Sequence, residues 1–262
     1  MSILGKLLGR PDEVPAKPPS PSGPLPDQPL FIVGDLHGRL DLFEKMLERV
    51  DGAIGIVKLR NPLLVFVGDI VDRGPDSAGV VRRMMELTAE FPQNVVCIRG
   101  NHEQMLLDFL DAPAVRYSRW MRNGGVETCK SFGLSVQGEN EDPQVVGDAL
   151  REAMGPEMID WLRQRPTSHT CGNVACVHAA ADPARSIDSQ SDRVLIWGHP
   201  EFLTSIRKDG QWVAHGHTVF DVPMITDNRI SVDTGAYMSG ILSCAVLLPN
   251  GEADFLQVRL TS

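Results

Sequence analysis

The first hundred residues repeat one arrangement three times: a short apolar run, then a polar loop bounded by glycine. Leu30-Phe31-Ile32-Val33 leads into Gly34-Asp35-Leu36-His37-Gly38, and Leu63-Leu64-Val65-Phe66-Val67 into Gly68-Asp69-Ile70-Val71-Asp72-Arg73-Gly74. Val95-Val96-Cys97-Ile98-Arg99 leads into Gly100-Asn101-His102-Glu103. Such runs, rich in β-branched residues, read as buried strands. Between them, Leu40, Phe43, Met46, Leu47 and Val50 recur at helical spacing and predict a helix over 40–50. Val81, Met84, Met85 and Thr88 predict another over 77–91, limited by Pro92, and a third runs over 103–110. Strands alternating with helices of this length predict an α/β fold whose sheet is mostly parallel, with right-handed crossovers.

The pattern changes beyond residue 110. Residues 111–170 carry Trp120, Asn123-Gly124-Gly125 and two helical stretches over 143–154 and 156–165, and read as a helical insertion near the mouth of a site. Apolar runs at 174–177, 194–197, 230–233 and 242–248 predict a return to strands, with His178, His215 and His217 at or just after such segments. At the other end, eight of the 19 prolines fall between Pro11 and Pro29. That stretch predicts a disordered tail over 1–29 and one catalytic domain over 30–262. Met1–Arg10 has Ile3, Leu4, Leu7 and Leu8 at helical spacing but reads as a frayed terminus, and the Pro-rich tail is a candidate partner-binding segment.

Composition narrows the classes. A net charge of −9 leaves no broad basic footprint for nucleic acid. No apolar run approaches the roughly 20 residues of a transmembrane helix. Five cysteines at irregular spacing in 262 residues do not form a secreted disulfide framework, and read as reduced core residues of a cytoplasmic protein.

The three loops carry the candidate chemistry. Asp35 and His37, two residues apart where a strand runs out, can face one side and form half of a divalent-metal shell. Asp69 holds the same place in the next unit, and its two oxygens can bridge two ions. Asn101 adds a carboxamide oxygen, and His178 and His217 add imidazoles. The count gives Asp35, His37 and Asp69 on one ion and Asp69, Asn101, His178 and His217 on the other. Two dications and two carboxylates leave a positive site, suited to phosphate in an acidic protein. Metal binding lowers a water pKa to about 7, so a two-metal-activated hydroxide is available near neutrality. His102 can then protonate the leaving oxygen as general acid, Asp72 can orient that imidazole, and Arg73 offers a fork for phosphate oxygens.

The order GDLHG, GDIVDRG, GNHE, VHA and GHT resembles the phosphoprotein phosphatases of the calcineurin-like metallophosphoesterase superfamily, the bacterial and phage serine/threonine enzymes above all. The resemblance covers about 30–258 and includes Asn123-Gly124-Gly125, Trp161-Leu162 and Asp233-Thr234-Gly235. It implies the calcineurin-like fold, the ligand set above with His217 preferred over His215, and manganese, or iron with zinc or manganese. It implies His102 as acid, Asp72 as its partner and Arg73 on phosphate, acting on a phosphorylated protein or small phosphoester. One departure matters. The family often has a second phosphate-binding arginine in a Trp-x-Arg segment, whereas Trp197-Gly198-His199 puts His199 there, with Arg193 and Arg207 as candidates to compensate.

Single motifs of this kind are ordinary turns; three in order after buried strands leave a purely structural reading at roughly one in twenty. The leading expectation is therefore a serine/threonine protein phosphatase. Its rival within the fold is the symmetrical diadenosine tetraphosphate hydrolase, whose second motif usually has a small residue at the position of Asp72. A metal-binding regulatory protein that has lost turnover is the third reading, for which His199 is the hint.

Overall fold

The computed structural model describes residues 23–260; Met1–Arg10 and the rest of the Pro-rich segment through residue 22 lie outside the described residues. Two five-stranded sheets form the centre. In the first, β1 (Leu30–Val33), β2 (Leu63–Phe66) and β3 (Val95–Cys97) run parallel. On the other side of β1 lie β9 (Ile241–Leu247) and then β10 (Ala253–Arg259), both paired antiparallel. The second sheet has the order β4 (Ser168–Cys171), β5 (Val174–Val177), β6 (Trp212–His215), β8 (Arg229–Ser231), β7 (Met224–Thr226). Here β5, β6 and β8 are parallel, and the two edge strands are antiparallel. Both sheets are thus mixed.

The two-residue period of a strand explains the layering. Leu30 and Ile32 point into an apolar layer between the sheets, with Val65, Val67, Val174, Cys176 and Ile230. Phe31 and Val33 point the other way, to a core shared with the helices. A run buried on both faces has no polar alternation, which is why β1 reads as continuous apolar sequence. On that helical side lie α1 (Leu40–Val57), α2 (Ser77–Glu90), α3 (Asn101–Asp111), α4 (Pro113–Trp120), α5 (Val126–Ser131) and α6 (Pro143–Arg163). The helix α1 outruns the prediction because Ala53, Ile54 and Val57 prolong its apolar stripe, and Lys58 ends it in a left-handed conformation. The helix α6 breaks at Gly155, so it is the predicted pair joined end to end.

The expected insertion is part of the main core: Trp120, Leu150 and Leu162 are fully buried in the same cluster as Phe31 and Phe66. All five cysteines are free and buried. Among the described residues no helix is long and apolar enough to cross a membrane.

Two expectations fail. Residues 194–197 are not a strand but the end of α7 (Asp192–Trp197). Four apolar residues cannot distinguish the two by periodicity. Ser191 decides it by accepting the Val194 N–H at its N-cap, and neither sheet includes the segment. The described residues before Leu30 are also bonded to the fold. Leu25 N–H donates to Asn173 Oδ1 at 2.6 Å, Asn173 N–H returns to Leu25 O, and Gly172 N–H donates to Asp27 Oδ2. Residues 23–29 are a strap across the β4–β5 hairpin; their prolines lack N–H groups but leave carbonyls free to accept.

Candidate active site

The carboxyl ends of β1, β2 and β3 meet those of β5, β6 and β8, and the predicted residues lie in the loops between. These loops are tightly bent. His37, Asp69, Asp72, Arg73 and His217 have φ of 44°, 49°, 70°, 69° and 61°, a left-handed region costly for residues with a Cβ. Such strain persists only where surroundings over-determine it, and it clusters at functional sites. Glu103 supplies much of that determination. Its two carboxylate oxygens accept the N–H groups of Asp69, Ile70, Val71 and Gly100, so one side chain ties the β2 loop to the start of α3. Burial, then the neighbouring Asp69 charge, pushes the Glu103 carboxyl up to about 7, against those N–H groups.

Asp69 is the centre. Its Oδ2 lies 3.3 Å from His178 Nε2, 3.7 Å from His37 Nε2 and 3.9 Å from His102 Nε2. Asn101 Oδ1 lies 2.8 Å from His178 Nε2 and 2.7 Å from His217 Nδ1. Two groups converge closely enough for a shared ion: His37, Asp69 and His102, and Asp69, His178 and His217. The second is most of one predicted shell. In the first, His102 stands in the group where Asp35 was expected. Asp35 is buried with them, accepts the His217 N–H at Oδ2, and has no hydrogen-bond partner at Oδ1. A Cβ on Gly216 would lie 2.0 Å from that Oδ1, and one on Gly100 would lie 2.2 Å from Asp69 Oδ1, so only glycine admits both carboxylates.

The donor set fits divalent ions. His37 Nδ1–H donates to Val71 O at 2.9 Å and His178 Nδ1–H to Val67 O at 2.8 Å, leaving each Nε2 lone pair aimed at the cluster. Burial holds His37 down to about 3 and His217 down to about 4, both neutral and able to ligate. Burial, Asp233 and Asp69 push Asp35 well above the usual carboxylate range. A partnerless buried oxygen beside two more acidic groups is a place where a cation would remove an electrostatic penalty. Asp69 goes the other way: burial opposes its charge, but His178, His102 and His37 hold it well below the usual range.

His102 sits differently. Its Nδ1 lies 2.8 Å from Asp72 Oδ2, and Asp72 is fully buried, also accepting the Trp120 indole N–H and the Thr128 hydroxyl. Burial pulls the imidazole down, yet Asp69 and then Asp72 raise it above its usual 6.5. Arg73 Nη1 reaches 3.2 Å from His37 Nε2, and its guanidinium lies 4.8 Å from the Tyr237 ring centre.

His199 is half-buried. Its Nδ1 accepts the Glu201 N–H at 3.3 Å, and its Nε2 lies 3.9 Å from Asp182 Oδ2. Of its candidate substitutes, Arg207 is committed to Asp182 O, Arg185 O and Asp209, and Arg193 is exposed. His215 is used inside the fold, bonded to Ser231 Oγ and packed edge-on to Phe202. Sequence reasoning missed Glu103, Thr128, Asp233 and Tyr237. The Glu of GNHE and the Asp of DTG were visible as motif letters, whereas nothing local marks Thr128. A hollow of about 530 Å³ lined by Pro183, Arg185 and Lys208 lies away from this cluster and shares none of its groups.

Set beside known proteins, residues 29–221 match the family described as calcineurin-like phosphoesterase. The chain belongs to that family and is a metal-dependent phosphoesterase; its two mixed sheets flanked by helices are the family's fold. It is 27% identical to the asymmetrical bis(5'-nucleosyl)-tetraphosphatase PrpE of Oceanobacillus iheyensis, over 87% of this chain and 90% of the relative. It is 37% identical to serine/threonine-protein phosphatase 1 of Salmonella typhimurium, over 37% of this chain and 38% of that one. The solved structure of a protein assigned as a diadenosine tetraphosphatase superposes with a TM-score of 0.60 at 22% identity, covering 88% of this chain and 94% of the other.

Proposed function

We propose that this chain hydrolyses dinucleoside polyphosphates at a centre of two divalent ions, manganese first among the candidates. The hydrolytic reading rests on the convergence of imidazole, carboxylate and carboxamide around Asp69. Asp35, His37 and Asp69 would hold one ion, and Asp69, Asn101, His178 and His217 the other. When bound, the ions supply positive charge for the phosphoryl oxygens and an acidified water. The remaining work belongs to side chains. Arg73 orients the phosphoryl group through its fork. As the P–O bond to the leaving group breaks and water oxygen joins phosphorus, His102 Nε2 gives its proton to the leaving oxygen. Asp72 holds the imidazole through Nδ1 and favours its protonated form.

The substrate class is supported by the reach of the likeness: the nucleosyl-tetraphosphatase PrpE matches over 87% of this chain and 90% of its own length, whereas two protein phosphatases match over 37% and 66% of this chain. Phosphoserine or phosphothreonine in proteins, the leading expectation from sequence, stays as the second reading. It is favoured by the buried Asp72–His102 pair, since an alkoxide leaving group needs a general acid more than a phosphate does. A manganese-dependent assay with an aryl phosphate, diadenosine tetraphosphate and a phosphopeptide panel decides between them, with Asp69→Asn as the control. Dinucleotide turnover that exceeds peptide turnover and falls more than about 100-fold in the control is expected, ligand loss costing at least as much as loss of a ligand's outer partner. Full activity after chelation would sink the mechanism, and phosphopeptide turnover alone would transfer the chain to the second reading.

A further inference from the structure

An open groove of about 360 Å³ begins at His217 and Thr218 and runs past Trp197, His199, Pro200 and Leu203. One end therefore touches the candidate metal centre. Its lining mixes apolar side chains with His199, His217 and Thr218, and the Nδ1 of His199 accepts the Glu201 N–H. Leu203, 44% exposed, leaves apolar surface uncovered there.

The rim of the groove carries a cation from a distant part of the chain. The guanidinium of Arg119 lies 4.6 Å above the Trp197 ring centre. Among the described residues Arg119 makes no ion pair, and its side chain is exposed. Its position is set firmly. The next residue, Trp120, bonds Asp72 through its indole nitrogen, and Gly124 O accepts the Arg73 N–H. A Cβ on Gly124 would lie 2.4 Å from that Arg73 nitrogen. The turn after α4 is thus clamped to the general-acid pair and the phosphate arginine, and Arg119, one residue from the end of α4, reaches Trp197.

We propose that this groove binds the nucleotide portion of the substrate beyond the scissile phosphate. Base and ribose lie against Trp197, Pro200 and Leu203, and Arg119 swings from the indole to the phosphate bridge. The assignment rests on the polyphosphate reading above and identifies where its selectivity resides. A cation–π contact at an exposed site holds a guanidinium only weakly, so a phosphate can recruit it. It would supply, from the helical half, the guanidinium that the Trp-x-Arg position lacks in this chain.

The test uses the full chain loaded with manganese and reads inhibition of aryl-phosphate turnover by ADP and by pyrophosphate. ADP should inhibit about tenfold better than pyrophosphate, because only ADP fills the groove. In Arg119→Ala, the Ki for ADP and the KM for diadenosine tetraphosphate should both rise about tenfold more than the KM for the aryl phosphate, the size of one charge-assisted contact. Arg119→Lys should recover part of the loss. Equal inhibition by ADP and pyrophosphate would overturn the proposal, and so would an Arg119→Ala variant whose dinucleotide KM moves no more than that of the aryl phosphate. If the KM of a phosphopeptide responds to Arg119→Ala while ADP inhibition does not, the groove takes peptide and the nucleotide assignment is wrong. Groove-dependent ADP inhibition without dinucleotide hydrolysis would keep the groove and refute the substrate reading, so the two failures are distinguishable.

Discussion

The loops after β1, β2 and β3 differ in kind from those after β5 and β6, although all five feed one site. The first set is caged. Glu103 spans two of its loops, Asp72 accepts from three neighbours, and four of its residues sit in left-handed backbone. The second set contributes His178 and His217 and then opens into the groove beside His199, where apolar side chains meet solvent. Tightly bonded loops stand where a phosphoryl group must be oriented, and the open groove stands where, as proposed, one substrate is told from another. Chemistry and selectivity are in this way divided between the halves of the fold.

The sharpest way to break that division is to remove the acid. His102→Ala should lower kcat by about 10²–10⁴-fold for an alkyl phosphate. The loss should be smaller for an aryl phosphate, whose leaving oxygen needs less help, and equal losses on both would show that His102 does not act as the acid. Asp72→Asn should act more gently and through pH. The imidazole of His102 is raised above 6.5 by Asp69 and Asp72, so its proton persists above that pH and activity falls only as pH rises through the raised value. Removing the Asp72 charge should move that alkaline limb of kcat toward lower pH. The same sign holds for stability: the bonus from a raised histidine is full below about 6.5 and is lost on the alkaline side. A limb that stays in place would detach Asp72 from the acid. His199→Arg, on the open side, should have the smallest effect, a fewfold lower Ki for inorganic phosphate. No change at all would mean that position 199 is not a phosphate clamp in this chain.

Much of the caged half was legible in the sequence because its information is local. Apolar runs name the strands, and the residues directly after each run are the ones delivered to the site, so Asp35, Asp69 and Asn101 could be placed by order alone. The open half was harder. The run at 194–197 gives the same signal in a strand and in a short helix, and only the Ser191 N-cap tips it toward the helix. The strand carrying His215 toward His217 was not marked out, because its apolar run, Trp212-Val213-Ala214, is only three residues long before His215. Contacts between remote segments were invisible in principle. Nothing near Thr128 announces that its hydroxyl meets Asp72, and nothing near Arg119 that it crosses to Trp197. The strap at 23–29 was hidden for a related reason: proline-rich composition describes a chain by itself, whereas Asn173 gives those carbonyls and amides partners from 148 residues away.

The four N–H bonds accepted by Glu103 have a consequence for how the site comes apart. Asp69, proposed to belong to both ions, and Gly100, which begins the segment bearing Asn101 and His102, donate their N–H groups to the same oxygen atom, Glu103 Oε2. Neither loop can loosen while the other stays in place. The centre should behave as a single cooperative unit on heating, releasing both ions in one calorimetric step at one temperature; two separate steps would show that the loops melt independently.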